Sequence, residues 1–140
     1  MVHKQRVIFD SNIWVSFAIG KRLDELKLTF THPNIEIFIC RKLLWEVSDA
    51  AKKPKLSKYI SPDRREMLLE IMEACHVADI EEQVFIARDS KDNYLLDLAA
   101  KVNADFLVTG DNDLLVLKNY KHTAIVTFKS FMSILDIIFS

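Results

Sequence analysis

Four acidic residues, Asp10, Glu46, Asp92 and Asp111, stand where an ordinary surface role explains them poorly. Asp10 ends the apolar run Val7-Ile8-Phe9. Glu46 shares a helical stripe with Leu43, Val47 and Ala50, and Asp92 shares one with Leu95 and Ala99. Asp111 follows the strand-like segment 105–109 and a glycine. A carboxylate turned toward a core is costly unless it is paired or holds a metal. Four of them at one place would suit a hard divalent cation, which takes oxygen ligands. Plainer roles exist for some. Asp111 serves equally well as a helix cap, and Asp92 would also favour a helix dipole. Glu46 fits a plain role worst, because its neighbours at three and four residues are apolar. Two further residues carry alternatives. Asn12 orients a water or phosphate, or else caps a helix. Asp113 supports the site from behind, or else opens a helix.

The chain must bring these acids together, and its pattern alternates strand and helix signals. Residues 6–10 read as a short buried strand with continuous apolar character. A helix carrying Trp14, Val15 and Ala18 follows, then a second near residues 23–30. His32-Pro33-Asn34 is a break. Residues 35–40 read as strand two, and residues 41–53 as a helix stopped by Pro54. Ser61-Pro62-Asp63 is a helix start, with a cap, a proline at the first position and an acid in the first turn. Residues 75–79 form a weaker strand, and 81–90 give no clear signal. Residues 91–102 are helical, 105–109 are strand four, and Asp111 opens a short helix to Leu117. Residues 123–128 form strand five, and a helix over 130–138 closes the chain.

Such alternation predicts a three-layer α/β/α fold, Rossmann-like, with a central, mostly parallel sheet of about five strands. Ligands of such sheets bind at the carboxyl ends of the strands. Asp10, Glu46, Asp92 and Asp111 all fall at or just beyond those ends, so topology alone predicts that they meet.

Composition narrows the possibilities. At 140 residues, half of them hydrophobic, the chain reads as a single domain over 1–140. There is no repeat, low-complexity tract or linker. The formal net charge of −1 argues neither for nor against nucleic acid. With two glycines in all, Gly20 and Gly110, neither a Walker loop nor a dinucleotide fingerprint can be built. Cys40 and Cys75 sit in apolar segments and read as buried thiols in a reducing compartment. No signal peptide precedes the first strand and no apolar run spans a bilayer, so the expected location is the cytoplasm, without membrane association. The four histidines show no zinc spacing. Trp14 and Trp45 lie in apolar patterns and read as core more readily than as stacking platforms for bases.

The residues resemble a family. Val7-Ile8-Phe9-Asp10-Ser11-Asn12-Ile13-Trp14-Val15-Ser16 is similar to the opening motif of PIN-domain ribonucleases. Leu44-Trp45-Glu46-Val47 resembles their helix-borne glutamate. Residues 88–99, including Lys91-Asp92-Asn93-Tyr94-Leu95-Leu96-Asp97, resemble the stretch bearing their third acid. Thr109-Gly110-Asp111-Asn112-Asp113-Leu114-Leu115 resembles the strand-end signature of the branch assigned to toxin components of toxin–antitoxin pairs. The resemblance covers nearly the whole chain, in order. It implies a Mg²⁺- or Mn²⁺-dependent endoribonuclease, a phosphodiester hydrolase, acting on single-stranded RNA. Asp10, Glu46, Asp92 and Asp111 would then be both metal ligands and catalytic residues. It further implies a possible antitoxin protein as partner and self-association as a dimer or higher oligomer. Arg41, Lys42, Lys52, Lys53, Lys55 and Lys58 are candidates for holding the RNA backbone. Two other readings stay open. One is a catalytically silent PIN-like module that binds RNA or protein. The other is a receiver-type phosphotransfer domain, which wants an acidic pair after strand one. Here Asp10 is followed by Ser11-Asn12.

Overall fold

The structure is a computed structural model, and it describes residues 3–19, 23–80 and 93–139. The whole 81–92 stretch, Asp92 included, and Gly20 lie outside the described residues. In chain order the elements are β1 (Gln5–Phe9), α1 (Ser11–Phe17), α2 (Leu23–Phe30), β2 (Ile35–Ile39), α3 (Arg41–Lys52), α4 (Pro54–Ser57), α5 (Pro62–Glu73) and β3 (His76–Val77). They continue with α6 (Asn93–Val102), β4 (Phe106–Val108), α7 (Asn112–Leu115), β5 (Asn119–Tyr120), β6 (Thr123–Val126) and α8 (Phe128–Phe139).

The strands form one sheet in the order β3-β2-β1-β4-β6-β5. Every neighbouring pair is parallel except β5–β6. This is the expected three-layer α/β architecture, with six strands where the sequence suggested about five. The added strand is the two-residue β5, which pairs Asn119 with Ala124 and Tyr120 with Thr123. β1 and β4 are buried along their apolar residues because parallel strands are covered on both faces. α6 packs against both of them, and α8 against β4.

Local rules explain most boundaries. Pro54 has no N–H to donate, so α3 ends at Lys52, and the same proline opens α4 at its first position. The Ser61 hydroxyl accepts a hydrogen bond from the Arg64 backbone N–H at 3.2 Å and caps α5. At the end of α6, Asn103 turns to φ 52°, and the Ala104 N–H reaches back to the Ala99 carbonyl. Asparagine tolerates that left-handed conformation better than most residues.

The core beneath the carboxyl ends of the strands is aromatic. Phe9 meets Trp14, Phe17 and Phe131 edge-on, with ring centroids 5.5–5.8 Å apart. Edge-to-face pairs of this kind add to simple area burial. Phe9 and Trp14 are fully buried on either side of the segment 10–13, so the turn that begins with Asp10 is held by packing at both ends. Cys40 and Cys75 are both buried and free, and burial pushes both thiols up, that of Cys75 to about 12. No helix among the described residues is long and apolar enough to cross a membrane.

Candidate active site

The chain steps from β1 to β2 to β3 in one direction, then returns past β1 to place β4 and β6 on its other side. The reversal falls between β1 and β4. Helices leave adjacent strands there on opposite faces and open a crevice at the carboxyl edge, where α/β sheets bind ligands. Asp10 follows β1 and Asp111 follows β4, so both lie at this switch point.

Asp10 is 4 % exposed. Its backbone N–H donates to the Val108 carbonyl at 2.9 Å, which continues the β1–β4 ladder by one residue. It occupies the N-cap position of α1, yet its side chain makes no capping hydrogen bond. The carboxylate instead accepts the Thr109 hydroxyl at Oδ2 (2.7 Å) and the Ser11 hydroxyl at Oδ1 (3.2 Å). Thr109 is fully buried, and its Oγ1 also accepts the Asp111 backbone N–H at 3.0 Å. One hydroxyl therefore ties Asp10 to the loop carrying Asp111. Asp111 in turn accepts the Asp113 N–H at Oδ1 (2.9 Å) and caps α7, so the cap role expected for it is real. A cap uses one carboxylate oxygen, and this role leaves the ligand role open.

Glu46 reaches the same region from α3. Its buried oxygen Oε1 has no hydrogen-bond partner among the described residues. The Tyr94 side chain, 1 % exposed on α6, lies beside it. Burial raises the Tyr94 hydroxyl above its ordinary range; its hydrogen bond to the Glu46 carboxylate and that group's charge raise it further, and Cys40 and Asp10 contribute at longer reach. The Tyr94 ring also carries the Lys42 ammonium 4.9 Å from the centroid.

The other candidates separate by position. Arg41 and Lys42 open α3 at the carboxyl edge of the sheet, whereas Lys52, Lys53 and Lys55 lie at or past the far end of that helix. At 1.5 Å rise per residue the two groups stand roughly 15 Å apart along the axis. Asn12 and Asp113 are exposed beside the crevice, and Lys58 is exposed beyond α4. Asp92 lies outside the described residues.

Two residues at the site, and a third on the helix that carries one of them, were not singled out from sequence. Thr109 and Tyr94 passed as the end of a strand and a member of an apolar stripe. Asp97, one turn beyond Tyr94 on α6, has a buried oxygen, Oδ2, with no partner among the described residues. An acid set among Leu95, Leu96, Leu98 and Ala99 was the available signal for it. Trp45 is a correction of another kind. It is 66 % exposed rather than core, because the buried face of α3 is formed by Leu43, Val47 and Ala51 and residue 45 points away from that stripe.

These donors suit a hard cation. They are all oxygens, and the unpartnered Glu46 Oε1 would be costly to bury without a counter-charge. Among the described residues, no three His, Cys, Asp or Glu side chains are grouped closely enough to hold a metal by themselves. Mg²⁺ commonly takes one or two direct carboxylates and keeps several waters, so a closed protein shell is not required.

The sequence model of the PIN domain matches residues 6–113, from the start of β1 through the Asp111 loop. A search of curated proteins returns no match. PIN domains are typically nucleases and generally use Mg²⁺ or Mn²⁺. With well over half of the chain matched, from Arg6 to Asp113, the protein belongs to the PIN-domain family.

Proposed function

We propose that the protein is a metal-dependent endoribonuclease that cleaves single-stranded RNA, with Mg²⁺ or Mn²⁺ held by Asp10, Glu46, Asp92 and Asp111. The observation that carries this reading is the buried, unpartnered oxygen of Glu46 beside Tyr94. Tyr94 bonds to the Glu46 carboxylate but leaves its buried Oε1 without a donor, and such an oxygen is costly unless a cation joins it. When bound, the cation supplies a water made nucleophilic near neutral pH and neutralises charge building on the phosphate. The chain's own residues do the positioning. Thr109 fixes the Asp10 carboxylate and the Asp111 loop relative to each other. Tyr94 lies against Glu46 and under Lys42. Arg41 and Lys42 give the phosphate backbone a cationic approach to the crevice, and Lys52, Lys53 and Lys55 offer a second cationic group at the far end of α3.

The same reading extends to the toxin half of a toxin–antitoxin pair acting in the cytoplasm, with an antitoxin protein as partner. It rests on the motif from Thr109 to Leu115, and the two free thiols fit a reducing compartment. Self-association is supported by an apolar groove of about 420 Å³ between α2 and α8, lined by Leu28, Ile35, Met132, Leu135 and Phe139. Light scattering that finds only a species of 16.2 kDa would remove that part of the proposal.

The central test is cleavage of a fluorescent RNA by wild type and by Glu46→Gln, in Mg²⁺, in Mn²⁺ and in chelator. Glu46→Gln keeps the shape and removes the charge. Cleavage should fall by several tens of fold or more. RNA binding should change little, because it rests on the lysines and arginines. Equal activity in every condition would point to a contaminating nuclease and end the proposal. Binding without cleavage by wild type would mark a silent RNA-binding module.

A further inference from the structure

The structure leaves the indole of Trp45 in solvent, next in sequence to Glu46. A single exposed aromatic needs no explanation by itself. Three features set this one apart. First, consecutive residues of a helix lie about 100° apart, so Trp45 neighbours Glu46 on the surface of α3 while facing away from the buried stripe of Leu43, Val47 and Ala51. Second, helical side chains lean toward the helix N-terminus. The N-terminus of α3 adjoins the carboxyl edge of β2, so the indole leans toward the site edge of the sheet. Third, the residues three and four positions before it are Lys42, whose ammonium lies over the Tyr94 ring, and Arg41, which pairs with Asp79 at 3.8 Å; both are exposed and both neighbour Trp45 on the helix surface. A flat aromatic surface bordered by two cations, beside an acidic centre, has the chemistry needed for an unpaired nucleotide. The indole offers a stacking face to the base, and the cations face its phosphates.

We propose that Trp45 is the stacking platform for one unpaired base of the substrate, placed beside the bond to be cut, and that it makes the site selective for single strands. A duplex keeps its bases stacked on one another and has none to offer. The proposal rests on the ribonuclease reading of the same site and adds the subsite that selects its substrate. Cation charge alone would not make this distinction, because duplexes carry phosphates at higher density.

The test uses the full chain in chelator, with a single-stranded RNA, its duplex with the complementary strand, and the same strand made abasic at successive positions. The chain has two tryptophans, and Trp14 is fully buried, so quenching of indole fluorescence by RNA reports Trp45. Single strands should quench, and duplexes should not. One abasic position should lose most of the quenching. Anisotropy of labelled RNA should show Trp45→Ala binding roughly five-fold to a hundred-fold more weakly, with Trp45→Phe close to wild type. With metal present, Trp45→Ala should raise KM with kcat little changed, because stacking is made equally in the bound and reacting states. Single-strand binding by Trp45→Ala within two-fold of wild type, or equal quenching by duplex, overturns the proposal. If wild type still cleaves RNA in that case, the nuclease reading stands and the Trp45 face is left to a protein partner. If wild type neither binds nor cleaves RNA, both readings fall.

Discussion

Thr109→Val is the substitution that probes the site most directly. Valine matches threonine in shape and exchanges the hydroxyl for a methyl, so a fully buried position stays filled. Two hydrogen bonds disappear. One is donated to the Asp10 carboxylate at 2.7 Å, and the other is accepted from the Asp111 N–H at 3.0 Å. A hydrogen bond to a charged group contributes about 1.5–3 kcal/mol and a neutral one about 0.5–1.5 kcal/mol. The added methyl returns part of this, since a buried CH₂-sized group is worth about 0.8 kcal/mol. The net loss is about 2–3 kcal/mol. With an unfolding entropy near 2.1 cal/mol/K per residue, a chain of this length should melt about 7–10 °C lower. Thr109→Ser keeps the hydroxyl and loses only a methyl, so it should cost about 1 kcal/mol. Calorimetry of the three proteins in chelator reads these differences. The valine variant should also need more Mn²⁺ for half-maximal cleavage, because its Asp10 is no longer aimed. A valine variant melting within about 1 °C of wild type, or a serine variant less stable than the valine one, would refute the idea that this hydroxyl joins the two acids.

Two further outcomes follow from the same coordinates. Mn²⁺ should raise the melting temperature of wild type and do little for Asp10→Asn, which should fold normally but not cleave; equal stabilisation of both proteins would place the cation elsewhere. Asp105 supplies a pH test. Burial alone would raise its pKa, but the Arg6 backbone N–H and the rings of His122 and His3 outweigh burial and hold it below its ordinary value of 3.8. A depressed carboxylate contributes stability above its unfolded pKa and loses it as pH falls through the folded one. Asp105→Asn should therefore melt below wild type at pH 6, with the gap shrinking as pH falls below about 4; a gap that does not shrink as the pH is lowered would show that the carboxylate's charge is not the source.

Much of this arrangement is written openly in the chain. Val7-Ile8-Phe9 announces a strand covered on both faces, and a parallel sheet then dictates that Asp10 sits at its ligand-binding edge. Ser61-Pro62-Asp63 and Pro54 mark helix ends because caps and missing donors act locally. Glu46 stood out because period 3.6 put a charge beside apolar neighbours. Other features depend on partners far away in sequence. Nothing local marks Thr109, whose importance comes from lying next to Asp10 across a β1–β4 pairing that spans 99 residues. Tyr94 looks like one more apolar position until α3 places Glu46 against it. β5 is two residues long and exists only because β6 offers it an edge. Trp45 was legible in principle, since Leu43, Val47 and Ala51 define a face that excludes it. A large aromatic between a leucine and a core-directed acid draws the eye toward the interior instead.

The bond between Thr109 and Asp10 has a consequence for synthesis. β1 is made before β4, which must lie beside it before Asp10 has its buried donor, and β6 must cover β4 before that strand ceases to be an open edge. At 5–20 residues per second, the wait between Asp10 and the end of β6 is roughly 6–25 s. Throughout that interval the growing chain carries its acids on a tether close to messenger and ribosomal RNA, with the crevice unbuilt. A chain stopped short of β4 retains Asp10 and Glu46 and gains no site. If the proposed RNA cleavage is the activity, the crevice that would perform it is assembled only after β6 has been made.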